Sequence, residues 1–322
     1  MGLFEKLYTL LILLAVGAGL LIGQVEIVAS KAKEVIMPFL MLMLLATFLQ
    51  MPLHAIKKSF ANNKFTGLTV MLNFVVTPIL AWGLASLFLA DHPALWIGFI
   101  MLMVTPCTDW YIIFTGIARG DVALSTSLLP LNLILQILLM PVYLYLFTGV
   151  TGGVEMRVFA ESMFFVLLLP LLTAYIINRF ILKDEQRRVR IFQRINTVPI
   201  IFLCLAIMAM FAFQGTLLIE NKELLYQLLL PILLFFILIL IIGRVVGRLT
   251  RLSTAQTASL NLTTLARNSP VALAMALTAF PDEPLIALVL IIGPLVELPA
   301  LSLLSFGIAK FGGKKGLNKI IS

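Results

Sequence analysis

Three ionisable residues stand inside otherwise apolar stretches of this sequence: Asp109, Arg267 and Glu297. An ionised side chain at mid-bilayer costs at least about 2.5–3.5 kcal/mol, so such residues face an interior cavity, pair with one another or carry transport chemistry. Asp109 and Arg267 belong to two similar polar clusters containing proline, Thr105-Pro106-Cys107-Thr108-Asp109 and Ala266-Arg267-Asn268-Ser269-Pro270. Two roles stay open for this pair: a salt bridge that holds the two clusters together, or part of a substrate site. Glu297 has no evident permanent partner and is the candidate for a coupling carboxylate, with Asp109 the second. Cys107 is either a thiolate ligand for a soft, thiophilic solute or a small buried apolar side chain. Thr108, Asn132, Asn268 and Ser269 can satisfy interrupted backbone or hydrogen-bond a polar solute. Asn73, Gln136 and Asn261 read as interhelical hydrogen-bonding groups, and Cys204, in an apolar stretch, reads as packing.

The elements that carry these residues must be membrane helices. Of 322 residues, 61% are hydrophobic and only 12% charged, more apolar surface than a soluble fold can cover. Uncharged runs such as Leu68 to Ala90 and Leu224 to Gly243 match the roughly 20 residues of a spanning helix. Strand-like alternation is absent, which argues against a β-barrel. Ten helices are expected, near 5–23, 34–52, 66–90, 94–118, 121–148, 158–182, 197–214, 223–249, 254–281 and 284–310. The first follows Lys6 and lacks an A-x-A cleavage site, so it reads as a membrane helix rather than a removable signal. Cys107 and Cys204 give neither a disulfide framework nor a metal spacing. His54 and His92 fall in predicted loops, so no metal or cofactor is expected.

The basic residues set an orientation. The 183–196 segment holds Lys183, Arg187, Arg188, Arg190 and Arg194, and the tail holds Lys310, Lys314, Lys315 and Lys319. The segments on the opposite side hold only Lys31, Lys33, Arg157 and Lys222. Basic loops stay cytoplasmic, which puts both termini inside, in a multi-pass protein of the cell membrane. The +8 net charge then reflects topology and anionic lipid. No aromatic interleaving points to nucleic acid.

The chain also repeats. Pro270 follows Pro106 by 164 residues, and Pro294 follows Pro130 by the same 164. Five helices per half is an odd number, so residues 1–150 and 151–322 form two repeats of opposite orientation. The fourth and ninth helices break at the polar clusters and are expected to cross. Paired interrupted helices in inverted halves mark a transporter's binding site.

At these residues the chain resembles a known family. Thr105-Pro106-Cys107-Thr108, Ala118-Arg119-Gly120-Asp121, Asn132, Ala266-Arg267-Asn268 and Gly293-Pro294-Leu295-Val296-Glu297-Leu298-Pro299 look like the arsenite-efflux permeases of the Acr type, within the bile acid:sodium symporter superfamily. The resemblance runs from about residue 35 to 305. It implies ten helices in two inverted five-helix repeats, with Cys107 and Glu297 as the functional pair. In the sodium-coupled branch, the sodium site uses serine, asparagine, glutamate and glutamine where this chain has Tyr111, Ile112, Thr263 and Arg267. The resemblance therefore favours a proton over sodium as coupling ion, with the arginine a fixed cation. Two functions follow: proton- or potential-driven export of arsenite or a related metalloid, or carriage of a small organic anion held by Arg267. A channel does not need two broken repeats around one site. An enzyme lacks a His–carboxylate cluster, a metal motif or a nucleophile–base pair.

Overall fold

The computed structural model describes residues 3–50, 62–108, 110–148, 161, 164–181, 191–192, 197–220 and 222–317. Among them all regular structure is helical. In chain order the helices are α1 (Leu3–Ile22), α2 (Glu26–Gln50), α3 (Asn63–Phe88), α4 (Pro93–Met103), α5 (Trp110–Ile117), α6 (Val122–Thr148), α7 (Leu169–Ile176), α8 (Val198–Glu220), α9 (Lys222–Leu249), α10 (Thr254–Leu265), α11 (Ser269–Ala279) and α12 (Pro284–Leu317). A π-helical turn, Leu72–Val76, lies inside α3, and two others flank α7. Among the described residues, five stretches are long and apolar enough to cross a membrane: Glu26–Gln50, Asn63–Phe88, Val122–Phe147, Tyr226–Leu249 and Pro284–Lys310. The remaining apolar helices are shorter. The expected helices 94–118 and 254–281 are each interrupted, at the two proline clusters.

These helices are apolar on both faces. Along α9, Leu228, Ile232, Phe235 and Ile239 are buried, while Leu230, Leu233, Ile237 and Ile241 are exposed. A water-facing helix places polar residues opposite its buried stripe, so an exposed face this apolar fits lipid.

The chain divides into two compact units. One comprises Met1–Met51, Gly149–Gln227 and Ser269–Leu295. In it α8 packs on α1 and α2, and α7 and α11 on α2. Ala32, Ile36, Leu40 and Leu44 are buried at helical spacing along α2. Gly19 and Gly23 let backbones meet, because a Cβ at either would collide with the carbonyl of Met208 or of Ala212. Small residues four apart are how membrane helices approach closely.

The other unit comprises Pro52–Thr148, Leu228–Asn268 and Val296–Ser322. Phe65, Leu72, Leu128 and Leu260 join α3, α6 and α10 in a buried cluster. Two turns in it share one device. Arg119 (φ 56°) and Arg251 (φ 55°) adopt the left-handed conformation. Each turn closes with a backbone bond back across the helix end, Gly120 N to Thr115 O at 2.8 Å and Leu252 N to Gly247 O at 2.9 Å. This is the Schellman pattern, which satisfies terminal carbonyls. Asp121 then caps α6 through Leu124 N at 2.9 Å, and Ser253 caps α10 in a capping box with Gln256.

Candidate transport site

The two interruptions meet in the second unit. Helix α4 ends at Met103 and α10 at Leu265. The chains beyond them run antiparallel, with Pro106 opposite Arg267. Cys107 N donates to Ala266 O at 3.0 Å, and Asn268 N donates to Thr105 O at 2.7 Å. Unwound backbone inside a membrane needs partners, and here each break supplies them to the other. Proline has no N–H, and at Pro106 none is required, because the flanking residues carry both bonds.

Arg267 is 1% exposed. Its side chain points to helix ends rather than outward. Nη1 donates to Met103 O at 2.8 Å and Nε to Leu265 O at 3.3 Å. Nη2 donates to Asn73 Oδ1 at 3.3 Å and also to Thr264 O. Four of the guanidinium's five N–H groups therefore have protein acceptors. Three of those are the last carbonyls of α4 and α10, where the helix dipole is negative and favours a cation. The ring of Phe235 lies under the guanidinium, 5.4 Å from its carbon, at cation–π distance.

Glu297, on α12 and 3% exposed, meets the backbone of Arg267: its Oε1 accepts from Arg267 N at 2.8 Å. It lies between Pro294 and Pro299. Each proline removes one intrahelical bond, which loosens α12 on both sides of the carboxylate. Asn268 Nδ2 donates to Thr108 Oγ1 at 3.1 Å, tying the two breaks through side chains as well.

The predicted site residues therefore separate into groups. Cys107, Thr108, Arg267, Asn268 and Glu297 converge at the paired breaks. Asn132 lies on α6 of the same unit, fully buried, with neither amide atom hydrogen-bonded among the described residues. Ser269 opens α11 in the other unit. Asp109 lies outside the described residues. Three other polar residues resolve differently from one another. Asn73 bonds from the π-helical turn of α3 to Arg267, in the unwound segment after α10 rather than on a second helix. Asn261 instead donates within its own helix, to Thr257 O at 2.7 Å. Gln136 has no partner for either amide atom among the described residues. Sequence reasoning did not identify Met103, Thr264 and Leu265 as cation ligands, because they act through backbone carbonyls that residue type does not reveal.

Helices apolar on both faces, with buried charge gathered where two interrupted helices pair, define the class as a multi-pass membrane transporter. A family model described as the Sodium Bile acid symporter family matches residues 37–221, more than half of the chain, and the chain belongs to that family. The Arsenical-resistance protein Acr3 of Corynebacterium glutamicum is 25% identical over 272 residues, covering 80% of this chain and 73% of that protein. The Uncharacterized transporter slr0944 of Synechocystis sp. is 23% identical over 211 residues, covering 64% of this chain and 55% of that protein. The chain is accordingly a secondary transporter of this superfamily rather than an enzyme.

Proposed function

We propose that the protein exports arsenite or a related metalloid across the cell membrane, driven by a proton or by the membrane potential. In this reading Cys107 contacts the metalloid at the paired breaks, beside Thr108 and Asn268, and Glu297 carries the coupling proton. Ten helices cross the membrane as two inverted repeats, 1–150 and 151–322, with the breaks near its middle. The observation that carries the reading is the arrangement of Arg267. An organic-anion carrier needs that guanidinium for its substrate, yet four of its N–H groups are directed at protein acceptors. It acts instead as a fixed cation at two helix C-termini, where a transported cation would otherwise be stabilised. Sodium then has no vacancy to fill there, and a proton on Glu297 is the simpler coupling ion. Kinship to a protein named for arsenical resistance supports the substrate.

The test is arsenite tolerance of a cell stripped of its own exporters, with and without this protein. Expression is expected to raise the tolerated concentration. Cys107→Ser should abolish that gain at equal protein level, and Cys204→Ser should keep it. A gain that survives Cys107→Ser removes the thiol from the mechanism. No gain with the wild-type protein sinks the metalloid reading itself.

A further inference from the structure

Three arginines close the end of α9 without a partner in the protein. Arg244 and Arg248 stand in its last two turns, and Arg251 in the left-handed turn that follows. Among the described residues none of the three side chains makes a hydrogen bond or an ion pair. Arg248 and Arg251 are exposed and Arg244 is half-buried. Lys64 brings a further positive charge beside them, its Nζ donating to Thr250 O. No carboxylate offsets these charges locally. Neither α3 nor α10 contains an acidic residue, and the one in α9, Glu223, lies about 30 Å along the helix from Arg244. Asp121 is held apart: its N–H donates to Ser259 Oγ, and its Oδ1 caps α6 at Leu124 N. Ser259 lies about 160° around α10 from Thr257 and Asn261, the residues that α9 approaches through Gly247 and Gly243. Helix α10 therefore stands between Asp121 and the arginines.

The arginines also continue a lipid-facing column. At about 100° per residue, positions seven apart fall within about 20° of one another and lie about 10 Å apart along a helix. Arg244 and Arg248 follow Ile237 and Ile241 at that spacing, and both isoleucines are exposed. Apolar surface thus leads directly into paired guanidinium groups. The same order, hydrocarbon and then anion, is found along a phospholipid from its acyl chain to its phosphate. We infer that this end of α9 binds an anionic phospholipid, with its acyl chain along Ile237 and Ile241 and its headgroup at Arg244, Arg248 and Arg251. A guanidinium presents its donors as a fork that matches two phosphate oxygens. A zwitterionic headgroup brings its own cation to a cluster that is already positive, whereas an anionic one neutralises it. The cytoplasmic bias of basic loops calls for charge at this end, but not for its alignment with exposed apolar side chains. The site is independent of which solute the protein carries.

The test uses the full-length protein purified in detergent, with lipid binding followed by native mass spectrometry. Phosphatidylglycerol and phosphatidylcholine with the same dioleoyl chains are the probes, and glycerol phosphate supplies the headgroup without chains. Wild type is expected to bind phosphatidylglycerol about twentyfold more tightly than phosphatidylcholine. Arg248→Gln, at an exposed position, should weaken phosphatidylglycerol about fivefold, and Arg244→Gln with Arg248→Gln should remove the preference. Arg119→Asn takes one charge from the same end of this unit but across α10, and asparagine accepts the left-handed turn there. It should change the affinity by less than about twofold, because exposed charges at that distance are screened. An unchanged melting temperature without added lipid checks that each variant folds. Equal losses in Arg119→Asn and Arg248→Gln would reduce the effect to general surface charge and overturn the site. Equal affinity of wild type for the two lipids would overturn it as well. Displacement of phosphatidylglycerol by an equal concentration of glycerol phosphate would make the ligand a soluble phosphate and sink the lipid assignment.

Discussion

Glu297 and Arg267 meet through backbone rather than as two facing charges, so each can be tested separately. Glutamine keeps an acceptor for Arg267 N while removing the charge and the exchangeable proton. Glu297→Gln is expected to keep protein level and solute binding and to lose transport driven by a pH gradient; proteoliposome flux with and without that gradient is the measurement, and retained acceleration by the gradient would exclude Glu297 as carrier. Arg267→Ala instead strands Met103 O, Thr264 O and Asn73 Oδ1, at about 1–3 kcal/mol for each acceptor left unsatisfied, so a lower melting temperature is expected. Methylguanidinium at millimolar concentration should raise it again and leave wild type unchanged, because the free ion reproduces the missing group. No rescue would mean that the site does not select a cation. Part of this was legible in the sequence: Arg267 and Glu297 stand out because charge is rare in apolar runs, and Pro106 and Pro270 lie at the two interruptions. The opposition of Pro106 to Arg267 was not legible, since pairing register belongs to backbone geometry and leaves no trace in residue type.

At the scale of elements, close packing rests on glycines that have room for nothing larger. Gly243 and Gly247 on α9 face α10: a Cβ at Gly243 would lie 2.7 Å from Asn261 Oδ1, and one at Gly247 2.7 Å from Thr257 Cγ2 and 3.2 Å from Thr257 Cβ. The threonine is β-branched and stiff, so it cannot swing aside as a longer side chain would. Gly247→Ala is expected to cost about 1–3 kcal/mol, the usual range for overpacking, read as a lower melting temperature in detergent. Thr257→Ala on that background removes the colliding atoms and should restore most of the loss; failure of the pair to recover would place the fault elsewhere. The spacing of Gly243 and Gly247 was visible in the sequence, but their partner was not. A glycine pair marks a close approach without saying to what: Asn261 reads as an interhelical hydrogen-bonding group with no partner named, and nothing in the sequence singles out Thr257. The π-helical turn of α3 was likewise invisible, because Leu72-Asn73-Phe74-Val75-Val76 has no proline or glycine to announce it.

At the scale of the whole chain, each compact unit draws on both halves. Met1–Met51 joins Gly149–Gln227, and Pro52–Thr148 joins Leu228–Asn268, so the opening segments of the two proposed repeats associate, and so do later ones. Orientation follows from charge together with contacts inside the second unit. Lys64 Nζ donates to Thr250 O, next to Arg251 at the end of α9. At the turn after Arg119, Asp121 N donates to Ser259 Oγ at 2.7 Å, on the first part of α10. Three segments that the charge bias assigns to the cytoplasm therefore gather at one end of this unit, and Lys64, Arg119 and Arg251 make that end basic. An anionic inner leaflet attracts such an end, so the proposed orientation has it facing the cytoplasm, and the charge bias proposes the same side for both termini and the 183–196 loop; residues 183–190 and 193–196 of that loop lie outside the described residues. Single cysteines introduced at Arg119, Arg251 and Arg188, in a Cys107→Ser, Cys204→Ser background, should resist a membrane-impermeant maleimide added to intact cells and react once the membrane is opened. His92, between α3 and α4, falls on the opposite side in this assignment, and a cysteine there should react without opening. Labelling of the three arginine positions from outside, with position 92 protected, would invert the topology. Labelling that splits the three among sides would contradict the contacts that hold Lys64 to Thr250 and Asp121 to Ser259, and with them the spans on which the orientation rests.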